Sequence, residues 1–419
     1  MLRRVVVTGI GTINPIGNNC SDFFANLDKG QGGAQPITAF DVSGLNTRFA
    51  CQIPDFDPRN FPDAIDRKGV TRTDPFEQYA LIAACEAIKD SRLDLDGEDL
   101  KRFGVVIGSG VGGVNTYEKE YRDCLLEGGG SLKFSPFLIT KFIINMASGI
   151  VALKYGFRGP NYGVASACST SSHAILTARD EISLGRADVV ITGGSDAPIC
   201  ASTVSAFSSA RALSSNNDEY ATASRPFDRT RDGFVIGEGA AILVLEELNH
   251  AVERGARIYA EVAGVGMTCD AYSLTAPRPD GEGAADAMSI ALKDAGIGPE
   301  EVDYINAHGT STPLGDVAEI NAIKEVFGQN AYKLNVSSTK SMTGHLLGAS
   351  GAVESLACIH AINEGIIPPT INFREEDERI DYRINLTLNE AQRREVNVAI
   401  SNNFGFGGQN ACLVFRKLE

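Results

Sequence analysis

The cysteines of this chain form no recognisable set. Nine are scattered over 419 residues, none in a CxxC spacing, and the count is odd. That argues against a disulfide framework or a zinc site and for reduced thiols in a cytoplasm. Long apolar runs are missing: no stretch approaches the ~20 residues of a membrane span, and the longest candidate, Ala240 to Leu245, reads as a buried strand. Positive charge is in deficit, with 38 Lys and Arg against 53 Asp and Glu and a net charge of −15, so no basic face for nucleic acid is expected. Low-complexity tracts are absent. The opening Met1-Leu2-Arg3-Arg4 is basic, but the apolar run after it stops at Thr8, which reads as a first strand and not a signal peptide.

What remains is a globular composition, 43% hydrophobic and 22% charged, long enough for two or three domains or one large duplicated one. Short apolar segments alternate with helical patterns. Strands are expected at 4–8, 103–108, 161–165, 188–192, 240–245, 259–266, 302–307, 334–337, 396–401 and 411–416. Helices are expected at 75–90, 172–184, 281–295, 316–327 and 351–364. This alternation predicts an α/β architecture with buried sheets. A weak internal repeat accompanies it. Small residues around Cys168 lead into a helix ending at Leu184-Gly185, and small residues around His345 lead into one ending at Glu364-Gly365.

Cys168 lies in Val164-Ala165-Ser166-Ala167-Cys168-Ser169-Thr170-Ser171-Ser172. An apolar segment runs into very small residues, then into a helix-compatible stretch. A thiol at such a corner sits at the positive end of a helix dipole among unpaired backbone N–H groups, which favours thiolate. Small neighbours leave room for a substrate carbonyl and for donors to its oxyanion. Alone, a cysteine is as readily a small buried core residue. Two of the five histidines change the balance. His308, in Asn306-Ala307-His308-Gly309-Thr310, and His345, in Lys340-Ser341-Met342-Thr343-Gly344-His345, each follow an apolar run and precede a helical pattern. Such loops are where α/β proteins place chemistry.

A rival pattern is Gly108-Ser109-Gly110-Val111-Gly112-Gly113, which follows a strand and formally matches the GxGxxG of dinucleotide binding. The match is weak. Val114 to Tyr121 is too polar and aromatic for a clean amphipathic helix, and no acidic residue closes a second strand about twenty positions on. Gly9 to Asn14 looks similar, but Pro15 would disrupt a helix opening there.

The run around Cys168, the His308-Gly309-Thr310 loop, Lys340 with Gly344-His345, and Asn403-Phe404-Gly405-Phe406-Gly407-Gly408 together resemble the β-ketoacyl-acyl-carrier-protein synthases, nearest the elongating type II enzymes of dissociated fatty-acid synthesis. The resemblance covers essentially the whole chain. It implies a thiolase-like five-layer αβαβα fold built from two related halves, 1–255 carrying the nucleophile and 256–419 carrying both histidines. It implies a decarboxylative Claisen condensation. Cys168 would hold the acyl group as a thioester. Neutral His308 and His345 would stabilise the enolate left when malonyl loses carbon dioxide, and the backbone N–H groups of Cys168 and Phe404 would hold the tetrahedral oxyanion. No metal or redox cofactor is expected; the substrates carry phosphopantetheine. Lys340 would be buried and paired with Glu354, whose apolar helix face makes an unpaired carboxylate costly, with Glu319 in support. Phe404 would gate the site. Val111, Phe207 and Phe406 would line the acyl pocket, Leu138 would reach the pocket of a second subunit in a homodimer, and Thr275 and Thr310 would touch the pantetheine arm. Val111 is β-branched where shorter-chain type I relatives carry glycine.

An acidic acyl carrier protein meeting an acidic enzyme needs a local basic patch. The resemblance assigns Lys68, Arg72, Lys133 and Arg211 to it. Polyketide ketosynthases share the same residues, so that pathway stays open. A chain-length subunit would lack the cysteine, and a degradative thiolase would need a second one near the C-terminus, where Cys412 falls inside an expected strand.

Overall fold

The computed structural model describes residues 2–127 and 133–418. Ten strands form one hydrogen-bonded ladder: β1 Val5–Ile13, β2 Phe103–Gly108, β3 Asn161–Val164, β4 Val189–Asp196, β5 Gly239–Glu247, β6 Ala260–Cys269, β7 Tyr304–Asn306, β8 Asn335–Ser337, β9 Val398–Gly405 and β10 Gln409–Arg416. Their order is β3-β2-β4-β5-β1-β6-β10-β9-β7-β8. In the first five, β1 pairs antiparallel with β5 and β5 with β4, while β4, β2 and β3 run parallel. The second five repeat the plan: β6 pairs antiparallel with β10 and β10 with β9, while β9, β7 and β8 run parallel. The two sets join where Val6 and Val7 meet Glu261 and Ala260.

Six helices complete the layers: α1 Pro75–Ser91, α2 Met146–Tyr155, α3 Thr170–Ser183, α4 Glu282–Ala295, α5 Gly315–Phe327 and α6 Ser350–Glu364. Helices α1 and α2 cover one outer face, around Phe76, Val151, Ile107 and Ile191. Helices α4 and α5 cover the other, around Met288, Ile323, Val336 and Ile400. Between the two sets of strands lie α3 and α6, packed with Leu243 and Leu413 through Ile175 and Leu356. The expected αβαβα order results. Strands covered on both faces need continuous apolar runs, which is why Val189 to Ile191 does not alternate with polar residues. For the same reason α6 is buried on every side from Ser350 to Ile362.

Three details depart from the sequence reading. The stretch after the glycine loop is a helix, Val114–Glu127, because Tyr117 stacks on Tyr121 at 5.9 Å and packs on Phe142 at 5.0 Å, a partner no local pattern reveals. Strands β1, β4 and β9 run on to Ile13, Asp196 and Gly405, since Gly9 to Ile13 and Gly193 to Asp196 pair with β5 and Asn402 to Gly405 pair with β10. The repeat also aligns differently. Ala167 (φ +51°) opens the turn that carries Cys168 into α3, and Leu347 (φ +50°) opens the turn that carries Gly348 into α6, so Gly348 and not His345 is the counterpart of Cys168.

The middle layer leaves no room at Gly351, where a Cβ would stand 2.1 Å from Ser172 Oγ and 2.5 Å from Asn403 Oδ1. Gly351→Ala is expected to destabilise the protein by about 1–3 kcal/mol through overpacking, read as a lower urea midpoint. An unchanged midpoint would show that α6 does not bear on α3 there.

Candidate active site

The turn Ala167–Ser169 places Cys168, buried, at the N-terminal end of α3. The Ser166 N–H donates to Thr170 Oγ1 at 2.7 Å, and Ser169 Oγ donates to the Gln409 carbonyl at 2.7 Å, tying the turn to the β9–β10 hairpin. From the other half, His308 follows β7 and His345 follows the short helix Lys340–Thr343. The sulfur of Cys168 and a nitrogen from each imidazole lie within 4.8 Å of one another. The two rings meet edge to face, centroids 5.4 Å apart.

Each histidine is held from behind. Glu319 on α5 accepts the backbone N–H groups of His308 and Gly309, both at 2.8 Å, and burial pushes its carboxyl up to about 7. His345 Nδ1 bonds Ser350 Oγ at 2.8 Å, and its ring lies edge-on to Phe234. His308 Nδ1 and His345 Nε2 are buried without a partner among the described residues. Burial, reinforced by the Lys340 charge, holds both imidazoles well below their usual range, so both are neutral at pH 7.

Behind the rings, Lys340 and Glu354 form an ion pair, 1% and 2% exposed. The other oxygen of Glu354 accepts from Asn403 Nδ2 at 2.7 Å, and Asn403 Oδ1 accepts from Ser172 Oγ. One chain of contacts thus links the His345 loop, α6, β9 and α3. Burial raises the Glu354 carboxyl and the neighbouring ammonium opposes the rise. The pairing satisfies two groups that would each be costly alone.

The thiol departs from expectation. Burial pushes it up to about 11; the Phe406 N–H, Lys340 and its own backbone N–H pull the other way without prevailing. Cys168 therefore rests as a thiol. The N–H that meets the sulfur belongs to Phe406, not Phe404. Phe404 is paired with Asn410 inside the ladder and lies edge-on to His308 at 5.8 Å, whereas Phe406 sits in the turn beyond Gly405, 6.3 Å from Phe207.

A cavity of about 510 Å³ opens onto the three groups. Two family models match the chain: beta-ketoacyl synthase, N-terminal domain, over residues 2–251, and beta-ketoacyl synthase, C-terminal domain, over residues 259–374. The chain belongs to the beta-ketoacyl synthase family. It is 48% identical to the 3-oxoacyl-[acyl-carrier-protein] synthase 2 of Coxiella burnetii, over 99% of each chain. It is also 48% identical to that of Synechocystis, over 100% of this chain and 99% of the relative. Among solved structures, the ishigamide ketosynthase/chain length factor matches with a TM-score of 0.92 at 35% identity, and a beta-ketoacyl synthase from Burkholderia phymatum with 0.91 at 34%, each over 100% of both chains. The fold is thus the thiolase-like fold of ketosynthases.

Against this beta-ketoacyl synthase frame the remaining residues can be placed. Val111, Phe207, Thr275, Thr310, Phe404 and Phe406 all line the cavity, as does Arg211. Leu138 does not: it is buried in its own chain at the start of the helix Leu138–Phe142, and the exposed apolar residues there are Phe137, Ile139, Phe142 and Ile143. Lys68, Arg72 and Lys133 are exposed and lie outside the cavity, with the Arg72 guanidinium 5.2 Å from the Phe137 ring. Asp196 escaped the sequence reading. Its buried carboxylate accepts the N–H groups of Gly110 and Val111 and the Ser109 hydroxyl, so the donors a dinucleotide phosphate would need are already occupied. The signal was an acid closing the apolar strand Val189 to Gly194.

A thiol pushed up to about 11 makes a pH prediction. Thiolate is scarce at neutral pH and grows with each unit, so Cys168 alkylation by iodoacetamide should still be rising steeply at about pH 9. A plateau by about pH 7 would show that the helix terminus outweighs burial.

Proposed function

We propose that this chain is a 3-oxoacyl-[acyl-carrier-protein] synthase, an acyltransferase that elongates acyl chains by two carbons in fatty-acid synthesis. The observation that carries the reading is the convergence of one sulfur and two neutral imidazoles on a single cavity, from opposite halves of the fold. The Cys168 sulfur attacks the acyl thioester and the carrier thiol leaves with the proton, an imidazole nitrogen within 4.8 Å being at hand to relay it. A malonyl thioester then enters. Loss of carbon dioxide leaves an enolate whose oxygen accepts the N–H groups of His308 and His345, for which neutral rings suffice. The enolate carbon attacks the Cys168 thioester, and the N–H groups of Cys168 and Phe406 hold the oxyanion. Collapse releases a 3-oxoacyl chain two carbons longer and the sulfur as thiolate, which takes a proton from solvent to restore the resting thiol. No step calls for a metal or redox cofactor. Phe406, in a glycine-flanked turn, suits the gate better than Phe404, which the ladder fixes.

Charge supports a carrier-protein partner. Lys68, Arg72, Lys133 and Arg211 are exposed and enter no ion pair among the described residues, so each is free to meet an acidic partner on a chain of net charge −15. One solved neighbour, at 34% identity, is a type II polyketide acyl-carrier protein in complex with its ketosynthase. Strand β3 forms an outer edge of the ladder, and Tyr121, Leu125, Leu126 and Ile139 are exposed. Both features suit a homodimer in which a second copy covers them. The nine free thiols suit a cytoplasmic enzyme. The strand plan suits halves divided at 255/256.

Intact-mass assays with malonyl-carrier protein and acyl-carrier proteins of graded length test the reading. Wild type should add two carbons; no elongation of any straight-chain acyl carrier protein would favour the polyketide alternative. Cys168→Ala should lose acylation yet still release carbon dioxide from malonyl-carrier protein, and full-rate elongation by that variant would remove the nucleophile. Charge reversal at Lys68 and Arg72 should raise KM for the carrier protein and spare kcat; an unchanged KM would remove both from docking.

A further inference from the structure

The carboxylate of Asp196, at the end of β4, is wholly buried and sits between the two halves. On one side it accepts Ser109 Oγ at 2.7 Å, the Gly110 N–H at 2.9 Å and the Val111 N–H at 3.1 Å. On the other it accepts the Gly348 N–H at 2.7 Å. Ser109 Oγ in turn accepts the Gly112 N–H at 3.0 Å. Val111 and Leu347, adjoining the two donor sites, both line the cavity and belong to one apolar cluster with Phe207 and Phe234. The loops approach so closely that a Cβ at Gly348 would fall 2.5 Å from the Gly110 nitrogen and 2.6 Å from Asp196 Oδ2. No side chain separates them; the carboxylate is the joint. Past Gly348, the same turn leads to Ser350, the partner of His345 Nδ1.

We propose that Asp196 is a positioning residue that couples the Val111 wall of the acyl pocket to the turn supporting His345, so that one buried carboxylate sets both acyl-length preference and decarboxylation geometry. This rests on the condensing-enzyme reading above. The physical basis is the donor count. Four donors converge on two oxygens, and an amide in their place offers one acceptor while turning its own N–H groups toward the rest. A buried donor left unmade costs enough to move the loop that bears it. Because the donors come from both halves, loss of the carboxylate relaxes both sides at once, whereas loss of one donor relaxes its own side.

The variants separate the two arms. Asp196→Asn is expected to flatten the chain-length profile, changing the ratio of kcat/KM between the longest and shortest accepted acyl-carrier proteins by about tenfold or more. It should also slow carbon dioxide release from malonyl-carrier protein. Asp196→Glu, which keeps the carboxylate, should recover most of both. Ser109→Ala removes a bond on the acyl side alone and leaves the Gly348 contact, so it should shift the chain-length profile and spare carbon dioxide release; it carries the test if Asp196→Asn fails to fold. An unaltered profile in Asp196→Asn or Ser109→Ala would overturn the inference, as would an equal loss at every chain length that follows the lost folded fraction in a thermal melt. Wild-type elongation is scored in the same assay, so a failure of the condensing-enzyme reading shows there and not in the variants.

Discussion

Two sets of strands share one helical layer, and the chemistry depends on that sharing. Helices α3 and α6 are wrapped by apolar side chains from both sets. Each begins with a turn opened by a residue at positive φ, Ala167 or Leu347, that delivers its first residues to the seam. Such a backbone persists only where its surroundings hold it. Here the hold is close packing, down to the missing side chain of Gly351. Cys168 can meet imidazoles from the other half because both helices start at the same boundary.

The seam is buried, and burial shifts the protonation of the groups in it. Neutral imidazoles, a thiol at rest and a carboxyl raised at Glu319 all follow from the cost of solvating charge poorly. Lys340 is paired with Glu354, which is held onward by Asn403 and through it by Ser172. Neutral N–H donors fixed before a reaction begins can hold developing negative charge without reorganisation.

The duplicated plan is used unequally. At matching turns one half presents Cys168 and the other Gly348, a sulfur against a bare N–H that goes to Asp196. The first half brings Cys168, Val111 and Phe207 to the cavity. The second brings the histidines on the loops after β7 and before α6. A site split this way forms only when both halves are folded and docked.

Much of this was legible along the chain. Continuous apolar runs located seven of the ten ladder strands to within about three residues at each end, because strands buried on both faces cannot alternate; β1, β4 and β9 run further at their C-terminal ends. Cys168, His308, His345 and the Lys340–Glu354 pair stood out because a reactive or charged side chain beside small and apolar residues demands a reason. The protonation state of Cys168, the placement of Leu138 inside its own chain, the choice of Phe406 over Phe404 and the role of Asp196 did not stand out. Each depends on what approaches from a distant segment: burial against a helix dipole, packing around one helix, the register of a hairpin, a glycine 152 residues away. Local sequence fixes which groups are present and how each segment is inclined to fold. Distance and dielectric, which decide what those groups do to one another, arise only when the two halves close on their common layer.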